Sequence, residues 1–270
     1  MSSSSVDPMG TRGWGLVRRT SSGVLPLLVL ALIVGMWQAA TVIFGLPDFF
    51  IPSPVKVAQT FWIDRDMLIS NSIPTITEAA GGFVVGSVVA LLMAVWFVHF
   101  RSAQRALYPL AIATQSIPLV AIAPILIVTL GTGYDSKVAM TAIISFFPTL
   151  VNTVRGLEAV EPPLLDLFQS VHASAWEVLV KLRLPNALPY IFVAFRITAT
   201  TSVIGAIIAE WIGAAQGLGY LVINSTYEFN TPLLWAALVA SSLLALCAFL
   251  LMAILERLVV PWRPTSTRKP

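Results

Sequence analysis

The chain has 270 residues, 57% of them hydrophobic and only 11% charged, with a formal charge of +3 and a mean hydropathy of +0.86. A soluble domain carries about 25% charged residues, so this chain cannot cover a water-exposed surface and most of its exterior must face hydrocarbon. The basic excess reads as membrane orientation and excludes nucleic-acid binding, because Lys and Arg gather on the cytoplasmic side of a membrane protein and here they are scattered over several segments.

Residues 1–22 are polar and Ser-rich, which predicts a disordered cytoplasmic N-terminus. Arg18 and Arg19 precede an apolar run, as in an export signal. That run is longer than a signal core and no small-residue cleavage site follows, so a retained first helix is expected. Six apolar stretches of membrane-crossing character follow one another at 24–44, 73–98, 106–130, 136–154, 189–213 and 233–256. They predict an all-α polytopic bundle of about six transmembrane helices over 23–258, with 259–270 as a cytoplasmic tail. Pro109, Pro118 and Pro124 fall in the third stretch, where kinks or a break near Pro118 are expected.

The loops carry further detail. The first outer loop, 45–72, contains Ile51-Pro52-Ser53-Pro54 and predicts a short helix over Val55–Trp62. The third, 214–232, has Gly217, Gly219 and several aromatics and predicts a re-entrant or interfacial element. With the N-terminus inside, the inner segments hold Arg12, Arg18, Arg19, Arg101, Arg105, Arg155, Lys181, Arg183, Arg257, Arg263, Arg268 and Lys269, whereas the outer ones hold Lys56, Arg65 and Lys137. This asymmetry predicts an even number of crossings with both termini cytoplasmic.

The long inner segment 155–188 is the most informative. Pro162-Pro163 suits the first turn of a helix. Ser174 with Glu177 three residues on matches a capping box, opening a second short helix over 175–182 that should stop before Pro185. Two short helices on the cytoplasmic face form a knob at 164–184, suited either to docking a soluble partner or to lying on the membrane as a connector.

Leu184-Pro185, Leu182, His172 and the trio Asp166-Leu167-Phe168 stand at the positions of a known loop signature. That signature is Glu-Ala-Ala, three residues, Gly, nine residues, Ile, one residue, Leu-Pro. The loop thereby resembles the permease subunits of ABC-type importers, and its flanks resemble the nitrate/sulfonate/taurine branch. The likeness extends over roughly 50–225, through QSIPLVAIAPILIVTLGTGYDSKV, FFPTLVNTVRGLEAV and IGAIIAEWIGAAQGLGYLV. Two departures are His172 in place of glycine, where glycine turns left-handed at little cost, and Asp166 in place of the longer Glu.

The resemblance implies a type I importer permease fold. It implies a permease homodimer, a cytoplasmic ABC ATPase docked on the knob, and an extracytoplasmic binding protein that delivers the substrate. It also implies no catalytic residue, metal or cofactor on this chain, ATP being bound by the ATPase. Consistent with that, the sequence has no GxxxxGK[ST] loop, the lone Cys247 sits in an apolar run, and His99 and His172 are far apart. Within the knob, Asp166 and Glu177 are candidates to meet basic partner residues. Leu167, Phe168, Trp176 and Leu179 are candidates to fill an apolar groove, with Ala173 and Ser174-Ala175 at the turn; Trp176 equally suits an interfacial anchor.

Intramembrane polar residues usually face the bundle interior, so Glu78, Gln115, Ser116, Asn152, Arg196, Thr200 and Glu210 are candidates for the substrate path. Arg196 and Thr200, four apart, share a helix face; Arg196 also suits snorkelling to the inner interface, and Glu78 and Glu210 the outer interface. The stretches QSIP and SFFPTLVNTV resemble permeases for a thiamine pyrimidine precursor or riboflavin, with sulfonate, taurine and nitrate as the alternatives. A secondary transporter or channel would need no docking knob, and an intramembrane enzyme would need a nucleophile or metal cluster that the sequence lacks.

Overall fold

The computed structural model describes residues 14–262 apart from Gln115. Eleven α-helices occur among them, with no strand: α1 (Trp14–Ile43), α2 (Pro54–Ile63), α3 (Arg65–His99), α4 (Arg101–Thr114), α5 (Leu119–Leu130), α6 (Tyr134–Glu158), α7 (Pro162–Ser170), α8 (Ala175–Val178), α9 (Leu184–Glu210), α10 (Leu218–Tyr227) and α11 (Thr231–Val259). A π-helical turn, Leu179–Arg183, joins α8 to α9. Five helical segments, within α1, α3, α6, the α8–α9 run and α11, are long and apolar enough to span a membrane.

The sixth expected crossing is not one helix. The stretch 106–130 is split into α4 and α5 around Ser116–Pro118, the break that Pro118 predicts. With 12 residues, α5 is about 18 Å long and cannot cross a hydrocarbon core of about 30 Å by itself. Other boundaries also move. The first helix starts at Trp14, inside the segment expected to be disordered; residues 1–13 and 263–270 lie outside the described residues. In the first outer loop α2 forms as predicted, with Ser53 Oγ accepting the Lys56 N–H at 3.2 Å. The next helix, however, starts at Arg65 and not at 73. Pro74 is carried inside it, where Ser70, Asn71 and Ser72 side chains donate to the carbonyls of Met67 and Leu68 in the turn before.

The centre is a close-packed trio of α3, α6 and α9. Lipid offers no hydrophobic drive between helices, so small residues that let backbones approach decide where they meet. Gly82 and Gly86, spaced GxxxG on α3, rest on α6 at Thr141–Ala142 and Ser145, and a Cβ on either would collide there. Between α6 and α9 the contact is a ladder of hydroxyls, Ser145 to Ser202 at 2.7 Å and Thr149 to Thr198 at 3.3 Å. Towards the knob the same trio closes on Ala94, Phe97, Leu150, Leu157, Ala187 and Ile191. By contrast, only 6% of the most apolar window of α1, and of α11, is buried.

Candidate functional site

The 155–188 segment folds as a protruding two-helix knob. None of the residues of α7 or α8 is buried. The turn between them is a Schellman motif: the Ala173 N–H donates to the Phe168 carbonyl at 3.0 Å and the His172 N–H to that of Gln169 at 2.9 Å. Such a closure requires a left-handed residue, and His172 supplies it with φ +52°. The departure from glycine therefore changes the residue and not the turn. A left-handed conformation costs a residue with a Cβ roughly 1–2 kcal/mol, although His tolerates it better than a branched side chain.

The predicted capping box is present in full. Ser174 Oγ accepts the Glu177 N–H at 3.3 Å and Glu177 Oε2 accepts the Ser174 N–H at 3.0 Å. Glu177 also pairs with Lys181 at 2.8 Å on the exposed surface.

The second helix does not stop before Pro185. Helical backbone runs on from Ala175 to Glu210 through the π turn, and Leu184 keeps helical angles although a proline follows. The π turn explains this: the Leu184 N–H reaches back five residues to the Leu179 carbonyl, so the backbone widens where the proline ring would otherwise crowd it. Leu179, expected in the partner groove, instead packs into the bundle core with Phe97 and Leu157. The knob is thus a rigid extension of α9, pinned by Leu179 and by Asn186 Nδ2 donating to the Gly156 carbonyl at 3.3 Å.

On its open side lie Leu167 and Trp176, 56% and 67% exposed, beside exposed Asp166, Ser174 and Ala175 and half-buried Phe168, Ala173, Leu182 and Pro185. Leu184 is also on the surface. The arrangement offers an apolar, acid-flanked surface on a stiff lever and holds no catalytic constellation.

Among the candidate path residues, Glu78 of α3 and Glu210 of α9 come together, with their carboxyl groups close enough to interact. Glu78 is buried and paired with Lys137 at 2.8 Å; Lys137 is thus a buried residue of α6 and not part of an outer loop. Arg196 does not snorkel freely to the interface. It pairs with Glu256 of α11 at 3.1 Å and lies over the Phe249 ring, and the Thr200 hydroxyl is spent on the Arg196 carbonyl at 3.2 Å. Asn152 Nδ2 donates to the Pro148 carbonyl of its own helix at 2.8 Å. Ser116 is exposed at the α4–α5 break, and Gln115 lies outside the described residues.

Glu210, a candidate for the substrate path or else for the outer interface, is 1% exposed. It accepts the Gly219 N–H and the Thr75 hydroxyl, while Gly217 and Leu218 donate their N–H groups to Asn71 and Thr75 at 2.9 Å. Asn71, Thr75 and Glu210 thus satisfy three N–H groups at the start of α10, which have no intrahelical acceptors. Thr75, Asn71, Lys137 and Glu256 were not legible as site residues. A lysine in the fourth apolar stretch and a glutamate in the second were the one signal available for Lys137.

Residues 82–261 match the model of a family described as binding-protein-dependent transport system inner membrane components. The chain belongs to that family. It is a multi-pass membrane permease subunit of the ABC importers, non-catalytic, with ATP hydrolysis on a separate subunit. It is 35% identical to the riboflavin transport system permease protein RibX of Chloroflexus aurantiacus, over 88% of this chain and 89% of that one. It is 30% identical to the formylaminopyrimidine transport permease protein ThiX of Halalkalibacterium halodurans, over 92% and 99%. The fold matches the MetNI methionine ABC transporter in its inward-facing form with a TM-score of 0.59 at 22% identity, over 74% of this chain and 98% of that one. The permease resemblance carried by the loop is thereby supported, and the five-helix-plus-broken-pair bundle is a type I importer permease fold.

Proposed function

We propose that this permease, as a homodimer with both termini cytoplasmic, moves an aromatic nitrogen heterocycle of the pyrimidine-precursor or riboflavin type. An extracytoplasmic binding protein hands the substrate over, and an ABC ATPase docks on the knob. The observation that carries the docking is the continuity of α8, the π turn and α9. A partner that pushes on Trp176 of α8, with Leu167 of α7 beside it across the His172 turn, moves a helical run that continues into the α3–α6–α9 core, so closure of the ATPase is transmitted as a tilt between two states. The heterocycle is favoured by two relatives of at least 30% identity that carry riboflavin and formylaminopyrimidine in their names; sulfonate, taurine and nitrate are the alternative cargoes.

Trp176→Asp with Leu167→Asp tests the docking. Loss of ATPase co-purification, with the permease still folded in detergent, is the expected result; undiminished co-purification and transport would refute it. For the cargo, uptake of labelled pyrimidine precursor and of riboflavin is compared with that of taurine in cells carrying the whole operon, and uptake of taurine alone would overturn the assignment.

A further inference from the structure

At the junction of α3, α4, α6 and the knob lies a cleft of about 530 Å³, within the size range of a small-ligand site. Its polar lining is Arg101, Arg105, Arg183, Gln104, Tyr108 and Glu158. Three guanidinium groups thus face a single carboxylate, and Gln104 Nε2 already donates to Glu158 Oε1 at 2.8 Å. None of the three arginines forms an ion pair among the described residues. Arg101 is also the first residue of α4, whose first turn carries no acidic side chain. A cation there opposes the helix dipole, whereas an anion would be stabilised by both the dipole and the free N–H groups.

Two further features select the kind of anion. Trp96 and Phe100, which lead into Arg101, are 42% and 59% exposed, as expected of rings at headgroup depth. The cleft also has an apolar wall, formed by Val98, Leu157 and Leu165. A charged mouth above an apolar wall at the membrane surface fits an amphiphile better than a soluble ion.

We infer that this cleft holds the phosphate of an anionic phospholipid, clamped between Arg101, Arg105 and Arg183. A lipid seated here touches α4 and the base of the lever together, which makes it a brace for the knob. The inference needs no ATPase and no particular cargo, so it can fail or stand independently of the proposed function.

The test uses the full-length permease in detergent, titrated with phosphatidylglycerol, phosphatidylcholine or inorganic phosphate, with native mass spectrometry counting retained adducts. Tight retention of phosphatidylglycerol over phosphatidylcholine is expected, undisplaced by millimolar phosphate. Replacing all three arginines by Gln should weaken it on the order of a hundredfold, taking roughly fivefold for each basic residue. Arg257→Gln, which removes an exposed charge at the end of α11, should leave it intact. Because the triple variant removes three charges at once, Arg105→Gln alone and the three Arg→Lys changes together guard against misfolding, and each should give an intermediate loss. Equal retention of the two lipids, equal binding of free phosphate, or retention unchanged in the triple variant would each overturn the inference. So would loss of ATPase docking from the Arg variants with lipid retention unchanged, since that would assign the cleft to the protein partner.

Discussion

The Thr75 hydroxyl donates to Glu210 Oε1 at 2.6 Å, and Thr75 Oγ1 itself accepts the Leu218 N–H at 2.9 Å. A residue of α3 and one of α9 thus jointly close the start of α10. Glu210→Ala removes the acceptor of the Gly219 N–H and the Thr75 hydroxyl in a buried site, where an orphaned donor cannot turn to water. The expected cost is about 3 kcal/mol, seen as a lower thermal midpoint of the purified permease. Thr75→Ser, which keeps the hydroxyl, should cost less than half as much.

Glu78 and Lys137 make a buried ion pair. Lys137→Met strands the carboxylate and should destabilise by about 3–5 kcal/mol, whereas Lys137→Met with Glu78→Leu should recover most of the loss. A double-mutant cycle on denaturation checks this. If the double variant were as unstable as the single one, Lys137 would hold more than Glu78.

His172 occupies a left-handed turn. His172→Gly should stabilise the knob by about 1 kcal/mol and leave ATPase co-purification unchanged, while His172→Val should destabilise it by a similar amount or more. Limited proteolysis between α7 and α8 reads the difference directly.

Ser174 caps α8 through both arms of the box with Glu177. Ser174→Ala should cost about 1 kcal/mol at the knob and weaken co-purification of the ATPase, and Ser174→Asp should restore most of both. Equal docking in all three proteins would separate the cap from the partner surface.

How much of this was legible varied with the range of the interaction. The capping box, the Pro162-Pro163 start, the α2 helix and the break near Pro118 are local, each fixed by a few adjacent residues, and each formed where the residues placed it. Even the turn at His172 could be anticipated as left-handed. The end of the second knob helix could not, because the expected stop at Pro185 is relieved by a π turn whose register depends on Leu179 packing under Phe97 and Leu157. The candidate path residues were chosen for being polar within apolar stretches, and that criterion does not distinguish a pore lining from a strut. Glu210 and Arg196 turned out to join helices, through Thr75 and Gly219 in one case and Glu256 in the other.

The sequence by itself determined that the chain lies in a membrane, which stretches are helical, and that a two-helix knob stands between the fourth and fifth apolar stretches. These follow from composition, apolar length and local capping, all properties of neighbouring residues. Only the tertiary structure decided that the knob is continuous with α9, and that Lys137, Thr75 and Glu256 are the partners of the buried acids and of Arg196. In hydrocarbon a polar group must find its partner within the protein. Which helix supplies that partner is set by where small residues such as Gly82 and Gly86 let backbones meet, a choice made between residues far apart in the chain.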